Sequence, residues 1–168
     1  MERSISPIVG RTISDTKRRL SVNAAFLKDI KDDNRELKCL IDKLDPLAEH
    51  AQTAANHWPE ITALLGDFRD QLALHFSLEE AFGYFEEAIE VAPQMSITAE
   101  QLRGEHTGLF ESIRELADKA SEISPDQIEK VSTFLTRLKQ FRHTLEQHEE
   151  AEVNLILESF GDDLGNGD

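Results

Sequence analysis

The stretch Leu72-Ala73-Leu74-His75-Phe76-Ser77-Leu78-Glu79-Glu80 places a histidine and a glutamate on an apolar helix stripe. Around it, Ile61, Leu64, Leu65, Phe68, Leu72, His75, Glu79, Phe82 and Ile89 recur mostly at intervals of three and four, the period of a helix face turned to a core. At four residues' separation an imidazole and a carboxylate stack on that face. The same pair returns in His148-Glu149-Glu150-Ala151-Glu152. There His148 and Glu152 continue a stripe through Ile128, Val131, Phe134, Leu135, Leu138, Phe141 and Leu145, and Leu155 and Ile156 follow. A buried glutamate is costly unless it is paired or binds a metal. Two helices carrying His-x-x-x-Glu inward can aim their donors at one point in a bundle.

The repeat extends upstream of each pair. His106 precedes His148 by 42 residues and Asn34 precedes His75 by 41. Their surroundings match as well: Asp33-Asn34-Arg35-Glu36-Leu37 against Glu105-His106-Thr107-Gly108-Leu109. Two helix pairs of one design therefore converge on a core site, with asparagine where one of the two pairs carries histidine. Asn34 lies between Ile30 and Leu37 on the first stripe and is expected to face the core. Imidazole and carboxylate donors without thiolate suit iron or manganese, and zinc accepts the same set.

Helix boundaries fit this design. Residues 1–14, broken by Pro7 and Gly10, read as an irregular arm. A first helix is expected from about Asp15 to Lys43 through Phe26, Ile30, Leu37, Leu40, Ile41 and Leu44, and Pro46 marks its boundary. The Ala-rich stretch from Leu47 to His57 suits a short helix or folded connection. Pro59 opens a second helix from Trp58 to Val91. Thr98 with Gln101 has capping-box spacing for a third, to about Ser121, through Leu102, His106, Leu109, Phe110, Ile113 and Ala117. Ser124-Pro125-Asp126-Gln127 repeats the start signal for a fourth, to about Phe160, where Gly161 ends it. The fold class is all-α. An up-down-up-down four-helix bundle over 15–160 carries a polar tail at 161–168.

Bulk composition narrows the function. At 168 residues, 39% hydrophobic and 30% charged, the chain can bury an ample single core. Lys and Arg number 18 against 33 Asp and Glu, a formal net charge of −15. Such a surface repels phosphate backbones and anionic lipid, so no nucleic acid and no membrane partner is expected. Cys39, the single cysteine, precludes an intrachain disulfide and reads as a small core residue. No apolar run reaches the length of a membrane span and the first residues lack an apolar signal core, so a cytoplasmic location is expected.

The residues quoted above resemble the hemerythrin-like (HHE cation-binding) family over about Leu20 to Phe160. The best matches are Leu72 to Glu80 and His148 to Glu152. The family is a four-helix bundle with a histidine on the first helix, His-x-x-x-Glu on the second, a histidine on the third and a similar pair on the fourth. The resemblance implies a non-haem di-iron centre with His75, His106 and His148 as terminal ligands and Glu79 and Glu152 as bridges. Asn34 stands where the first-helix histidine belongs, and an amide oxygen is a poorer ligand for iron. Oxygen-carrying members have a second histidine one turn after the third-helix one, and Phe110 occupies that place here. Three histidines and two glutamates are too few to equip both irons of an oxygen carrier. The implied role is iron binding that senses or buffers iron or oxygen, with a single ion, a weak two-ion site completed by water, or an empty relic as the open alternatives.

The other candidates take structural readings. His50 and His57 fall in the connection before the second helix, and His143 points about 140° from His148 around the helix. Glu80, Glu149 and Glu150 flank the core pairs and are expected to point outward. Trp58, Phe76, Tyr84 and Phe85 read as packing. No nucleophile with a partnered base and no phosphate-cradling glycine loop is present, so the sequence supports no dedicated enzyme. The rival from another class is a metal-free bundle serving as an interaction or structural module.

Overall fold

The computed structural model describes residues 32–81, 89–90 and 92–165, with side chains to 159. Expectations for the arm at 1–14, for Phe26 and Ile30, and for Phe82, Tyr84 and Phe85 lie outside these residues. Helix α1 is described over 32–48. It is followed by α2 (Ala51–Asn56), α3 (Trp58–Ala81), a 3₁₀ turn at Pro93–Met95, α4 (Ser96–Glu122) and α5 (Ile128–Gly165). Among the described residues there is no strand. The four long helices α1, α3, α4 and α5 form the up-down-up-down bundle, and α2 is the folded connection.

Each long helix buries one stripe. On α3 it comprises Trp58, Ile61, Leu64, Leu65, Phe68, Leu72, His75, Phe76 and Glu79. On α4 it comprises Ala99, Leu102, His106, Leu109, Ile113, Leu116, Ala117 and Ala120. These faces carry α3 onto α4 and α4 onto α5, while α2 rests against α5 and α3. Phe68 meets Phe141 edge to face at 6.0 Å and Trp58 meets Phe134 at 5.3 Å. The Trp58 indole also donates to the Ala120 carbonyl at 3.0 Å, satisfying its buried N–H. Truncating one such aromatic to alanine costs about 3–5 kcal/mol. Arg142 on α5 is ion-paired with Asp45, which ties the end of α1 to the bundle.

Among the described residues the apolar core falls into two clusters. A large cluster runs from Trp58 and Phe134 up to Phe76, Leu109 and Leu145. A small one holds Ala99, Leu102 and Leu155. His106 lies between Leu102 and Leu109, and His148 with Glu152 lies between Leu145 and Leu155. A buried polar layer therefore separates the two clusters.

Helix ends depart from the sequence signals in instructive ways. Helix α1 passes through Pro46 and stops at 48, because proline has a helical φ and removes only one ladder bond near the end. Helix α4 starts at Ser96 directly from the 3₁₀ turn, with no side-chain cap, so Thr98 is already inside it. The Ser124-Pro125-Asp126-Gln127 segment is a turn closed by Gln127 N–H to the Ser124 carbonyl at 3.0 Å, and α5 begins after it at Ile128. Gly161 does not end α5, which continues to Gly165. Ile128 is partly exposed and stands off the core stripe. Cys39 is exposed as well: two residues beyond the buried Leu37, it points away from the 37/40/41/44 stripe.

Candidate metal centre

Apart from Ser159, the buried polar side chains among the described residues are Asp33, His75, Glu79, His106, His148 and Glu152. All six belong to the polar layer. Their concentration in one layer is itself informative, since charged groups are almost never scattered singly through a core.

Two donor groups can be drawn within this layer. His75, Glu79 and Glu152 form one, and His106, His148 and Glu152 the other. Each offers three ligand atoms within 4.8 Å of one another, and Glu152 belongs to both. Nε2 of His75 is 2.8 Å from Glu79 Oε1, and Nε2 of His148 is 3.0 Å from Glu152 Oε1. Nε2 of His106 sits between the carboxylates, 3.3 Å from Glu79 Oε2 and 3.2 Å from Glu152 Oε1. All three imidazoles thus turn the same nitrogen inward.

The short distances are not all hydrogen bonds. Nε2 of His75, Nε2 of His148 and Oε2 of Glu79 are sealed from solvent and make none of acceptable geometry. Donor atoms that crowd together without aligning N–H to O are arranged around a shared point instead of along pairwise axes. Buried imidazole and carboxylate atoms crowded this closely in one layer fit a metal ion that accepts nitrogen and oxygen donors.

Without an ion the charges balance one another. Burial works against a charged His75, but the Asp33 and Glu79 carboxylates outweigh it and push its pKa up to about 10. His106 follows the same logic: burial opposes the charge, Glu152, Glu79 and Glu80 favour it, and its pKa rises to about 9. His148 is also raised, against burial, by Glu152 and Glu105. For Glu79, burial pulls upward, yet His106 and His75 hold the carboxyl well below the usual range.

Aromatic packing closes one side of the layer. Phe76 stacks on His106 at 4.1 Å and 10° from parallel, and meets the His148 ring near perpendicular at 5.9 Å. The other side opens. A cavity of about 320 Å³ is lined by Asn34, Leu37, Lys38, Ile41, His75, Glu79, Glu149, Glu152 and Val153. The His75 group therefore borders the open side, while the His106–His148 group lies against Phe76.

The expected site residues divide accordingly. The structure brings His75, Glu79, His106, His148 and Glu152 together. Asn34 it places on the exposed face of α1, on the wall of the cavity, and Asp33 takes the core position instead. The reason is helical phase: Asp33 is one turn before the buried Leu37, whereas Asn34 is rotated off that line. Phe110 is half-buried against the main cluster. His50, His57 and His143 are exposed, and the nearest acid to His57 is Glu60 at 3.7 Å.

Sequence reasoning missed three carboxylates that hold the outer nitrogens. Asp33 Oδ2 lies 2.5 Å from His75 Nδ1, Glu80 Oε1 3.1 Å from His106 Nδ1, and Glu105 Oε2 2.7 Å from His148 Nδ1. Glu80 thus turns toward the layer despite its half-exposed position. Glu149 is half-buried on the cavity wall instead of pointing outward; burial, with the nearby Glu152 and Glu79 charges, raises its pKa although His75 opposes this. Glu150 is exposed. A signal for two of the three was present, because the local match of Asp33-Asn34 with Glu105-His106 aligns Asp33 with Glu105.

Among the described residues no helix is long and apolar enough to cross a membrane. A family model described as Hemerythrin HHE cation binding domain matches residues 25–159. No curated protein and no solved structure matches the chain.

Proposed function

The chain belongs to the hemerythrin HHE cation-binding domain family, and on that premise we propose that it binds non-haem iron in the polar layer and senses or buffers iron or oxygen. One observation carries the reading: two buried three-donor groups share Glu152 and leave inward-facing atoms without hydrogen bonds. His75, His106 and His148 would hold the metal together with Glu79 and Glu152, as two ions or a single one. Manganese and zinc accept the same donors. Bound iron would supply a redox-active centre able to meet oxygen; the chain's own residues seal one side with Phe76 and leave the other open at the cavity.

Oxygen carriage is disfavoured by the donor count. Phe110 adds no imidazole to the His106 group, and Asn34 brings only an amide to the rim of the His75 group. No residue predicts turnover, and a cytoplasmic location is consistent with the lone Cys39.

The rival reading is a metal-free bundle acting as an interaction or structural module. It is favoured by the pairing of every site histidine with carboxylates, which lets the layer stand without an ion. Elemental analysis of untagged protein, purified without chelator and supplied with ferrous iron without oxygen, decides between them. One or two irons per chain support the first reading. A folded protein that holds no iron, manganese or zinc establishes the second.

A further inference from the structure

The sealed carboxylate of Asp33 has no ligand role in either donor group, yet it is the one buried acid among the described residues of α1. Its Oδ2 faces His75 Nδ1 at 2.5 Å. Its Oδ1 accepts from Gln71 Nε2 at 2.7 Å, one turn before His75 on α3. The carboxylate is therefore fixed at both oxygens, and the imidazole is fixed with Nε2 toward Glu79. Glu105 on α4 holds His148 on α5 in the same way. In each half of the chain, then, an acid on one helix holds the outer nitrogen of the histidine on the next long helix, 42 residues on in one half and 43 in the other.

We propose that Asp33, clamped by Gln71, is the positioning residue of the His75 group, and that it orients His75 for a metal ion as Glu105 orients His148. The proposal rests on the metal-binding reading. A carboxylate on the outer nitrogen fixes the ring's tautomer and orientation and raises its basicity toward the ion. The two acids differ in strength of hold. The Asp33 side chain is 3% exposed and that of Glu105 53%, so water competes with Glu105 and not with Asp33.

Asp33→Asn separates positioning from mere packing, because the two side chains have nearly the same shape. Gln71 already donates to one oxygen of residue 33, so the amide must turn its NH₂ toward His75. An NH₂ there makes Nδ1 an acceptor and moves the ring proton to Nε2, the atom that must be free to bind.

The experiment is an anaerobic Co²⁺ titration of the full chain, followed by visible absorption, on wild type, Asp33→Asn and Glu105→Gln. Asp33→Asn is expected to weaken Co²⁺ binding by about 10- to 100-fold, the usual effect of losing such a partner, with a smaller loss for Glu105→Gln. Equal affinity for wild type and Asp33→Asn, with Co²⁺ bound by both, overturns the proposal and leaves the metal reading intact. Wild type that binds no Co²⁺ overturns both. Should Asp33→Asn not fold, ¹⁵N NMR of Zn²⁺-loaded wild type supplies the answer. The expected result is His75 bound through Nε2, with an Nδ1 proton that exchanges more slowly than that of His148. Ligation through Nδ1, or faster exchange at His75, overturns the proposal.

Discussion

Phe76 lies flat on His106, ring centroids 4.1 Å apart, and stands perpendicular to the ring of His148. One side chain thus sets the plane of one site histidine and bounds the travel of another. Phe76→Leu should keep most of the buried volume and lose the stack. Aromatic pairs contribute about 0.5–1.5 kcal/mol beyond area burial, and the lost volume adds to that. Chemical denaturation of metal-free protein should show a loss of about 1–3 kcal/mol, within the range of a moderate core substitution. An unchanged midpoint would mean that the stack contributes nothing to the fold.

Glu152 belongs to both donor groups and Glu79 to one. Glu152→Gln should therefore lower metal content more than Glu79→Gln, and each should lower the thermal stability of the loaded protein along with its metal. Paired elemental analysis and thermal unfolding test this. If the layer holds no ion, the same changes remove the counter-charge of buried imidazolium groups, and stability alone should respond. Equal metal loss in the two variants would count against Glu152 as the shared donor.

The pH dependence of stability should reverse on metal loading. His75 and His106, raised from 6.5 to about 10 and about 9, contribute stability that is complete below pH 6.5 and lost as pH climbs through those values. His148 acts in the same direction. Glu79, lowered from 4.5, contributes stability present above pH 4.5 and lost in more acid solution. Metal-free protein should thus be most stable between about pH 4.5 and 6.5 and weaken toward pH 9. Metal must displace the protons on Nε2, so loading releases protons and strengthens as pH rises. Thermal unfolding at pH 6 and pH 8.5, with and without Zn²⁺, checks both signs. A metal-free protein that gains stability between those pH values contradicts the imidazolium–carboxylate layer.

The polar layer was legible because His-x-x-x-Glu, twice repeated on apolar stripes, has no cheap explanation in a core. Long periodic stretches such as Ile61 to Glu79 gave their helices for the same reason. What failed was phase at single-residue precision. Asn34 and Asp33 are neighbours, and the stripe from Leu37 alone does not say which of them is inward until α1 is docked. Packing decided it, by offering the His75 Nδ1 atom to a carboxylate. Capping signals failed similarly at Thr98 and Gly161, where a preceding 3₁₀ turn and the continuing packing of α5 outweighed local preference. The outer carboxylate Glu80 was unreadable for a different cause: half-exposed glutamates abound on this acidic surface, and only geometry distinguishes one that reaches an imidazole; for Glu105 the repeat that aligns it with Asp33 was the one signal.

Two adjacent substitutions on α1 should now move metal binding in opposite directions. Asn34 sits on the wall of the cavity shared by His75, Glu79 and Glu152. Asn34→His adds an imidazole on that wall, from which its ring can turn toward the His75 group without disturbing Asp33. Iron per chain should rise, and the gain should vanish in the double variant Asn34→His/Glu79→Gln if the new ring completes that group. Asp33→His removes the carboxylate from His75 Nδ1 and buries a second imidazole against the first. Iron per chain should fall, with a loss of stability from the uncompensated charge. Elemental analysis of the three variants beside wild type reads both effects. A rise for Asp33→His and none for Asn34→His would reassign the helix face that serves the centre, placing residue 33 itself among the ligands.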